Sequence, residues 1–293
     1  MSQRTTLDEW RENAEYWTRF APVIHKMFAP LTRALIEELQ IRKGDRVLDI
    51  AGGAGEPAFS IASKTGEHGS VTCTDAVSEM VAGAQRLASE SGIANIQFQN
   101  CTAESLPFPD DTFDAVESRL GIMFFSDPPK ALREMLRVAK PGATIALAVW
   151  HKAEFNPFCG LPTKVMAQHI PSEPAAPDAP TAYRFAEQGK LARLLGDAGA
   201  VTVKERLFEF RIKGELSIAD YWNLRATTSG TLRDQLQTLP PREVELISAE
   251  VAEAVKLFFQ NDRMDFPAAM IIVSGRKPGT LTGARTVQNH AIQ

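Results

Sequence analysis

Apolar positions in the first forty residues recur at helical spacing. Leu7, Trp10, Ala14, Trp17 and the Phe20–Ala21 pair share a face. Pro22 interrupts the pattern, and Leu31, Leu35, Ile36 and Leu39 resume it. The spacing predicts two helices, the first crowded with aromatic side chains, as suits an amphipathic flap. From Asp45 short apolar runs alternate with amphipathic stretches. Strands are expected over 46–51, 71–74, 96–99, 113–118 and 144–150. Helices are expected from Pro57 to Ser63, from a Ser78 cap to Glu90, and over 129–139. Strand–helix alternation at this spacing means a parallel sheet with helices on both faces.

Regularity lapses over 151–181, where IPSEPAAPDAP (170–180) reads as a loop. Beyond it the pattern predicts a helix over 185–196, a strand over 202–212 and two or three helices from 218 to 259, broken at Gly230 and Pro240–Pro241. A last strand follows, then a polar tail over 276–293. The organisation expected is an N-terminal helical lid (1–40), a core (41–150), and the rest of the sheet (151–275) carrying a helical cap (215–265).

Composition narrows the partners. The 293 residues carry 32 Lys+Arg against 36 Asp+Glu, a net charge of −4. That balance lacks the basic excess of a nucleic-acid binder. There is no long apolar run for a membrane span and no signal core, and three scattered cysteines make neither a disulfide framework nor a metal clamp. A cytoplasmic chain, with no stable membrane insertion and no metal, is the expectation.

The chemistry concentrates in VLDIAGGAGEPA (47–58), a buried strand entering a glycine-rich turn and then a helix. Gly53 and Gly55 let a ligand approach the backbone, and the helix N-terminus favours an anionic group. Gly53-x-Gly55-x-x-Ala58, with Asp75 about 20 residues on, also satisfies a dinucleotide fingerprint. Asp49 separates the candidates. A carboxylate at that strand end repels a pyrophosphate but suits a ligand with an ammonium or sulfonium. S-adenosylmethionine has both. A nicotinamide-dependent oxidoreductase remains the alternative, although no Tyr-x-x-x-Lys pair is recognisable. A non-catalytic S-adenosylmethionine-binding protein is the other.

VLDIAGGAGEPA, VTCTDAVSEM (71–80), NCTAESLPFPDDTFDAVESRLGIMFF (100–125) and ALREMLRVAKPGATIALAVW (131–150) together resemble the successive motifs of class I S-adenosylmethionine-dependent methyltransferases. The similarity is to the type-11 branch that includes the ubiquinone and menaquinone C-methyltransferases. The resemblance implies a Rossmann-like α/β fold with a doubly wound, mostly parallel seven-stranded sheet whose last strand, 268–274, runs antiparallel. It implies that Asp49, Gly53 and Gly55 line the methionine end and that Asp75 binds the ribose hydroxyls. Ala76 and Met80 then flank the adenosine, Thr102 and Ala103 face the adenine edge, and Ser118 and Arg119 lie under the methionine moiety. Two positions depart from the pattern. Ala51 stands for the first glycine, and Thr102 for an adenine-binding aspartate that Glu104 could replace.

Methyl transfer is an in-line displacement that needs proximity, orientation and, for a protonated nucleophile, a base. His151, just after the fifth strand, is the base best placed by sequence, and His25 is the second candidate. Tyr16, Trp17, Trp150, Phe155, Tyr221 and Trp222 are candidates for lid and acceptor contacts. Such side chains suggest a small, fairly apolar methyl acceptor, with O, N, C or S as the accepting atom.

Overall fold

The computed structural model describes residues 5–171, 176 and 178–279. Residues 1–4 of the expected lid, five positions of the proline-rich loop and most of the expected tail lie outside the described residues.

The first helix departs from expectation. Residues Thr6–Leu39 form one continuous α-helix (α1), opened by a capping box between Thr5 and Asp8, with Pro22 and Pro30 inside it. An interior proline removes one backbone hydrogen bond and strains the preceding turn. Pro22 itself is exposed, whereas Thr18, whose carbonyl it frees, is buried. Met27, Leu31 and Leu35 are fully buried in the main core, and this packing outweighs the local cost.

The sheet is built from β1 (Arg46–Ile50), β2 (Ser70–Asp75), β3 (Ile96–Asn100), β4 (Phe113–Arg119), β5 (Ala139–Trp150), β6 (Val201–Gly214), β7 (Phe259–Gln260) and β8 (Arg263–Arg276). Its order is β3-β2-β1-β4-β5-β8-β6, with β7 paired to β8. The first five strands run parallel, and β8 is antiparallel to both β5 and β6. The eighth strand is the two-residue β7. It forms a hairpin with β8 through Asn261 and Asp262, both at positive φ, the backbone that a two-residue turn of twisted strands requires.

Helices α2 (Ala58–Thr65), α3 (Ser78–Glu90), α4 (Pro128–Val138), α5 (Pro157–His169) and α6 (Lys190–Asp197) accompany the strands. The last begins five residues later than the sequence pattern suggests. Helices α7 (Ile218–Thr228), α8 (Gly230–Gln237) and α9 (Pro241–Val255) make the cap, broken where Gly230 and Pro240–Pro241 stand. Among the described residues no helix is long and apolar enough to cross a membrane.

The strand order reverses between β1 and β4, and there the carboxyl ends of the strands leave a crevice. The N-terminal half of α1 lies across α3 beside it. A Cβ on Gly83 of α3 would sit 2.4 Å from Thr18 Oγ1, so glycine permits this close crossing. Trp10, Ala14 and Trp17 pack on Val77 and Met80, and Trp10 meets Phe124, just after β4, at 5.1 Å. The same half-helix reaches the cap. Trp17 Nε1 donates to the Thr228 carbonyl at 3.1 Å, and Arg233 donates to Asn13. Deleting residues 1–20 is therefore expected to leave the sheet folded on Met27–Leu39, to lower Tm by several degrees, and to remove most turnover. Circular dichroism melts and a methyl-transfer assay check both outcomes.

Candidate active site

β1 delivers Asp49 and Ile50 to the crevice, and the loop Ala51–Pro57 turns back toward α2. Ala51 (φ 59°) and Gly53 (φ 54°) both adopt left-handed backbone. A Cβ on Gly53 would meet no atom within 4 Å. The backbone there borders open space, as a ligand cradle demands. Its neighbours are different. A Cβ on Gly52 would lie 2.5 Å from Cys73 Sγ, and one on Gly55 only 2.0 Å from the Phe59 ring.

Asp75, at the end of β2, holds the loop. Its carboxylate accepts from Gly53 N at 3.0 Å and from Val77 N at 2.9 Å. Desolvation nevertheless pushes its pKa up to about 6. The start of α3 is therefore served by Asp75 and not by the expected Ser78 cap, whose hydroxyl bonds Glu79. Ala76 and Val77 follow directly, with Met80 buried below Trp10 and Trp17.

Asp49 is fully buried. Its Oδ2 accepts from Ala58 N, the first residue of α2, at 3.1 Å, and Oδ1 has no partner among the described residues. Opposite it in the β1–β4 register stands Glu117, also fully buried, neither of whose carboxyl oxygens has a partner. Two residues on, Arg119 donates to Thr32 Oγ1 of α1 and to the Glu56 carbonyl, both at 2.8 Å. It makes no salt bridge among the described residues. Burial raises the pKa values of Asp49, Glu117 and Glu56, while the Arg119 guanidinium opposes all three shifts.

A carboxyl raised this way keeps its proton in the folded chain at pH values where the unfolded chain has lost it. Its contribution to stability is complete below the unfolded pKa near 4 and declines as pH rises through the folded value. Asp49→Asn keeps the acceptor for Ala58 N and removes a buried charge. It is expected to stabilise the cofactor-free protein by about 1–3 kcal/mol at pH 7.5 and by less at pH 5. It should also weaken cofactor binding. Thermal melts at the two pH values, with and without ligand, read both effects.

His25 of α1 sits at this cluster. Its ring meets Phe59 edge-on at 6.0 Å, and burial together with the Arg119 charge lowers its pKa to about 4. Arg119 lies over the Phe28 ring at 5.9 Å, and Phe28 meets Trp150 edge-on at 5.8 Å. His151 is placed otherwise. Its Nδ1 is 2.8 Å from the Ala186 carbonyl, and its ring stacks on exposed Phe155 at 4.9 Å. A histidine beside a carbonyl oxygen is held as the Nδ1–H tautomer, a bond that can serve structure alone.

Several other sequence candidates fall elsewhere. Tyr221 is fully buried within the cap, with its hydroxyl donating to the Phe158 carbonyl at 2.7 Å and its ring packed on Phe266 and Phe259. It is a packing residue and not an acceptor wall. Trp222 bonds Ser248 of α9. Tyr16 lies under the Arg233 guanidinium in a cleft of about 420 Å³ between α1 and the cap. Glu104, the candidate to replace the adenine-binding acid, has one carboxyl oxygen committed elsewhere. Its Oε1 accepts from Ser126 N, Ser126 Oγ and Asp127 N, at the start of α4. Ala103 is buried at the mouth of β3, with Thr102 beside it half-exposed.

Sequence reading passed over Glu117 and Glu56. The signal was present: Glu117 interrupts the apolar register of a parallel strand whose two faces are covered, where a charge is costly.

The model of the ubiE/COQ5 methyltransferase family matches residues 20–170. The chain belongs to that family. It is 33% identical over 205 residues to an uncharacterized protein of Mycobacterium tuberculosis, covering 69% of this chain and 72% of that one. It is 36% identical over 130 residues to the ubiquinone/menaquinone biosynthesis C-methyltransferase of Francisella philomiragia, covering 44% and 51% respectively. Among solved structures it shares its fold with phosphoethanolamine N-methyltransferase 2 of Haemonchus contortus, crystallised with S-adenosylhomocysteine (16% identity, TM-score 0.56, 95% of this chain, 60% of that one). It shares it equally with the [4+2]-cyclase SpnF (21%, TM-score 0.55, 92% and 97%), so the fold alone does not decide the chemistry. Family membership does. The protein is an S-adenosylmethionine-dependent methyltransferase, and the nicotinamide reading of the glycine loop is set aside.

The residues present fit that cofactor. Open space at Gly53, the carboxylate of Asp75 at the loop, and unpartnered Asp49 Oδ1 and Ser118 Oγ together offer what a ribose, an ammonium and a sulfonium need.

Proposed function

We propose that this methyltransferase acts on a small, fairly apolar acceptor, with His25 as the base and α1 as one wall of the acceptor space. The observation that carries the reading is the cluster of His25, Phe28, Phe59, Arg119 and Trp150 at the carboxyl ends of β4 and β5. Aromatic rings on three sides favour an apolar body, and one imidazole and one guanidinium fix its polar end. The cofactor supplies an electrophilic methyl group on a sulfonium. The chain's own residues do the rest. Asp75 and the Gly53 backbone hold the ribose end, Asp49 faces the cationic end, Trp10 and Trp17 cover Met80 and exclude water, and His25 takes the acceptor's proton at an imidazole nitrogen.

A pKa near 4 keeps His25 unprotonated throughout the physiological range, so its imidazole is free to accept a proton, although as a weaker base than an ordinary histidine. Its protonation contributes no acid limb to kcat above about pH 5. His25→Ala is expected to lower kcat by about 10² with cofactor affinity little changed, whereas His151→Ala acts mainly on Tm. Equal losses of kcat in both variants would return His151 to the site. The reading as a whole is tested by an acceptor screen that follows release of S-adenosylhomocysteine. Turnover is expected with compact apolar molecules bearing one ionisable group. Turnover confined to protein or nucleic acid would overturn it.

A further inference from the structure

We propose that Glu117 shares one proton with Asp49 in the cofactor-free protein and gives it up to solvent when the cationic methyl donor binds above the glycine loop. The inference rests on the placement of the donor's methionine end over Asp49. Its own ground is the pair. Asp49 and Glu117 face each other in register on neighbouring strands, both at 0% exposure, and three of their four carboxyl oxygens have no partner. As two carboxylates they set acceptor against acceptor, with like charges in a poorly solvated place. One proton converts the same contact into a donor and an acceptor.

The surroundings make the pair respond to a positive ligand. Arg119 on β4 is the nearby cation; one terminal nitrogen donates to Thr32 and the other to the Glu56 carbonyl, while its buried Nε has no partner among the described residues. Glu56 before α2 adds a third carboxyl, whose Oε2 also lacks a partner. Cys73 on β2 lies beside Asp49 at Gly52, Asp75 ends the same strand, and His25 on α1 feels Arg119. Three carboxyls around one guanidinium leave an excess of negative charge once all are ionised. Independently of this cluster, Ser118 Oγ is fully buried without a partner and abuts the loop: a Cβ on Gly121 would lie 2.6 Å from both it and Ala51 Cβ. The unspent acceptors, with the excess of negative charge around them, suit a cation.

The consequence is a sorting of donor from product. The donor's sulfonium charge favours the ionised pair, and the proton leaves to bulk water. After methyl transfer the product's sulfur is neutral, the pair recovers a proton from solvent, and the hold on the ligand weakens. Glu117 is a positioning residue in this scheme, acting through Asp49.

Calorimetric titration of the full chain with S-adenosylmethionine at pH 7.5, in two buffers of different ionisation enthalpy, counts the protons released. Native protein is expected to release more protons with the donor than with S-adenosylhomocysteine. Its donor Kd should weaken by up to about tenfold per unit as pH falls from 8 to 6. Glu117→Gln supplies a permanent donor to Asp49 and should remove most of both effects. The ligand's own amino group titrates in both proteins, so the difference belongs to the pair. Should that variant fail to fold, difference infrared spectra of native protein serve instead, with loss of a protonated-carboxyl band on donor addition expected. Binding with equal heats in both buffers, unchanged release in the variant, or no loss of that band would overturn the proposal while leaving the cofactor site standing. Absence of binding by native protein would overturn both.

Discussion

Gly53→Val should yield a folded protein that no longer binds S-adenosylmethionine. The two halves of that expectation have separate causes. Gly53 has a φ of 54°, and a β-branched residue held there costs about 1–3 kcal/mol, which an intact domain can bear. Nothing beyond its chain neighbours lies within 4 Å of the added Cβ, so the branch point itself meets nothing in the cofactor-free chain. On the proposed placement of the cofactor, the space it fills is the space the ligand needs. Gly55→Ala makes the contrast, because its Cβ would run into the Phe59 ring at 2.0 Å. That variant should lose stability whether or not ligand is present. Circular dichroism melts and calorimetric Kd values on the pair separate an occupied cradle from a broken loop. Retained binding by folded Gly53→Val would make the loop a turn and nothing more.

Asp75→Ala should weaken cofactor binding by about 2–4 kcal/mol, the worth of charge-assisted bonds to two ribose hydroxyls on the proposed placement of the cofactor. The carboxylate also serves the Gly53 and Val77 amides. The alanine variant therefore leaves two amides unpaired and should melt earlier. Asp75→Asn keeps one oxygen for those amides but presents an amide donor toward the ribose. It should recover much of the Tm and little of the affinity. Affinity that returns together with Tm would assign Asp75 to loop structure alone.

The strand–helix alternation from Arg46 to Trp150 was legible because most of its strands are apolar runs and its helices carry their own period. The glycine loop was legible for a chemical reason: Asp49 near the strand's end sets a carboxylate beside a turn whose glycines leave the backbone open to a ligand. What stayed hidden depended on tertiary packing. Pro22 reads as a helix break until the burial of Met27, Leu31 and Leu35 is known. Tyr221 reads as a pocket aromatic, and only the fold shows its hydroxyl spent on the Phe158 carbonyl. His25 and Arg119 lie 94 positions apart, and no local pattern relates them. The β7–β8 hairpin was missed although Asn261–Asp262 is turn chemistry, because the flanking strand is only two residues long.

Helix α1 has a consequence for inheritance and redesign. A rod of 34 residues is about 50 Å long, and this one belongs to the sheet at one end and to the cap at the other. Acceptor preference in such a molecule cannot be transplanted by exchanging Ile218–Gln237 alone. A graft of that segment from a relative would bring partners unmatched to Asn13 and Trp17, while the helix that carries them stays locked in the recipient's core. A workable chimera must take the first half of α1 with it, joined within the exposed turn around Pro22. In a lineage, changes in the two segments are expected to be accepted together or not at all.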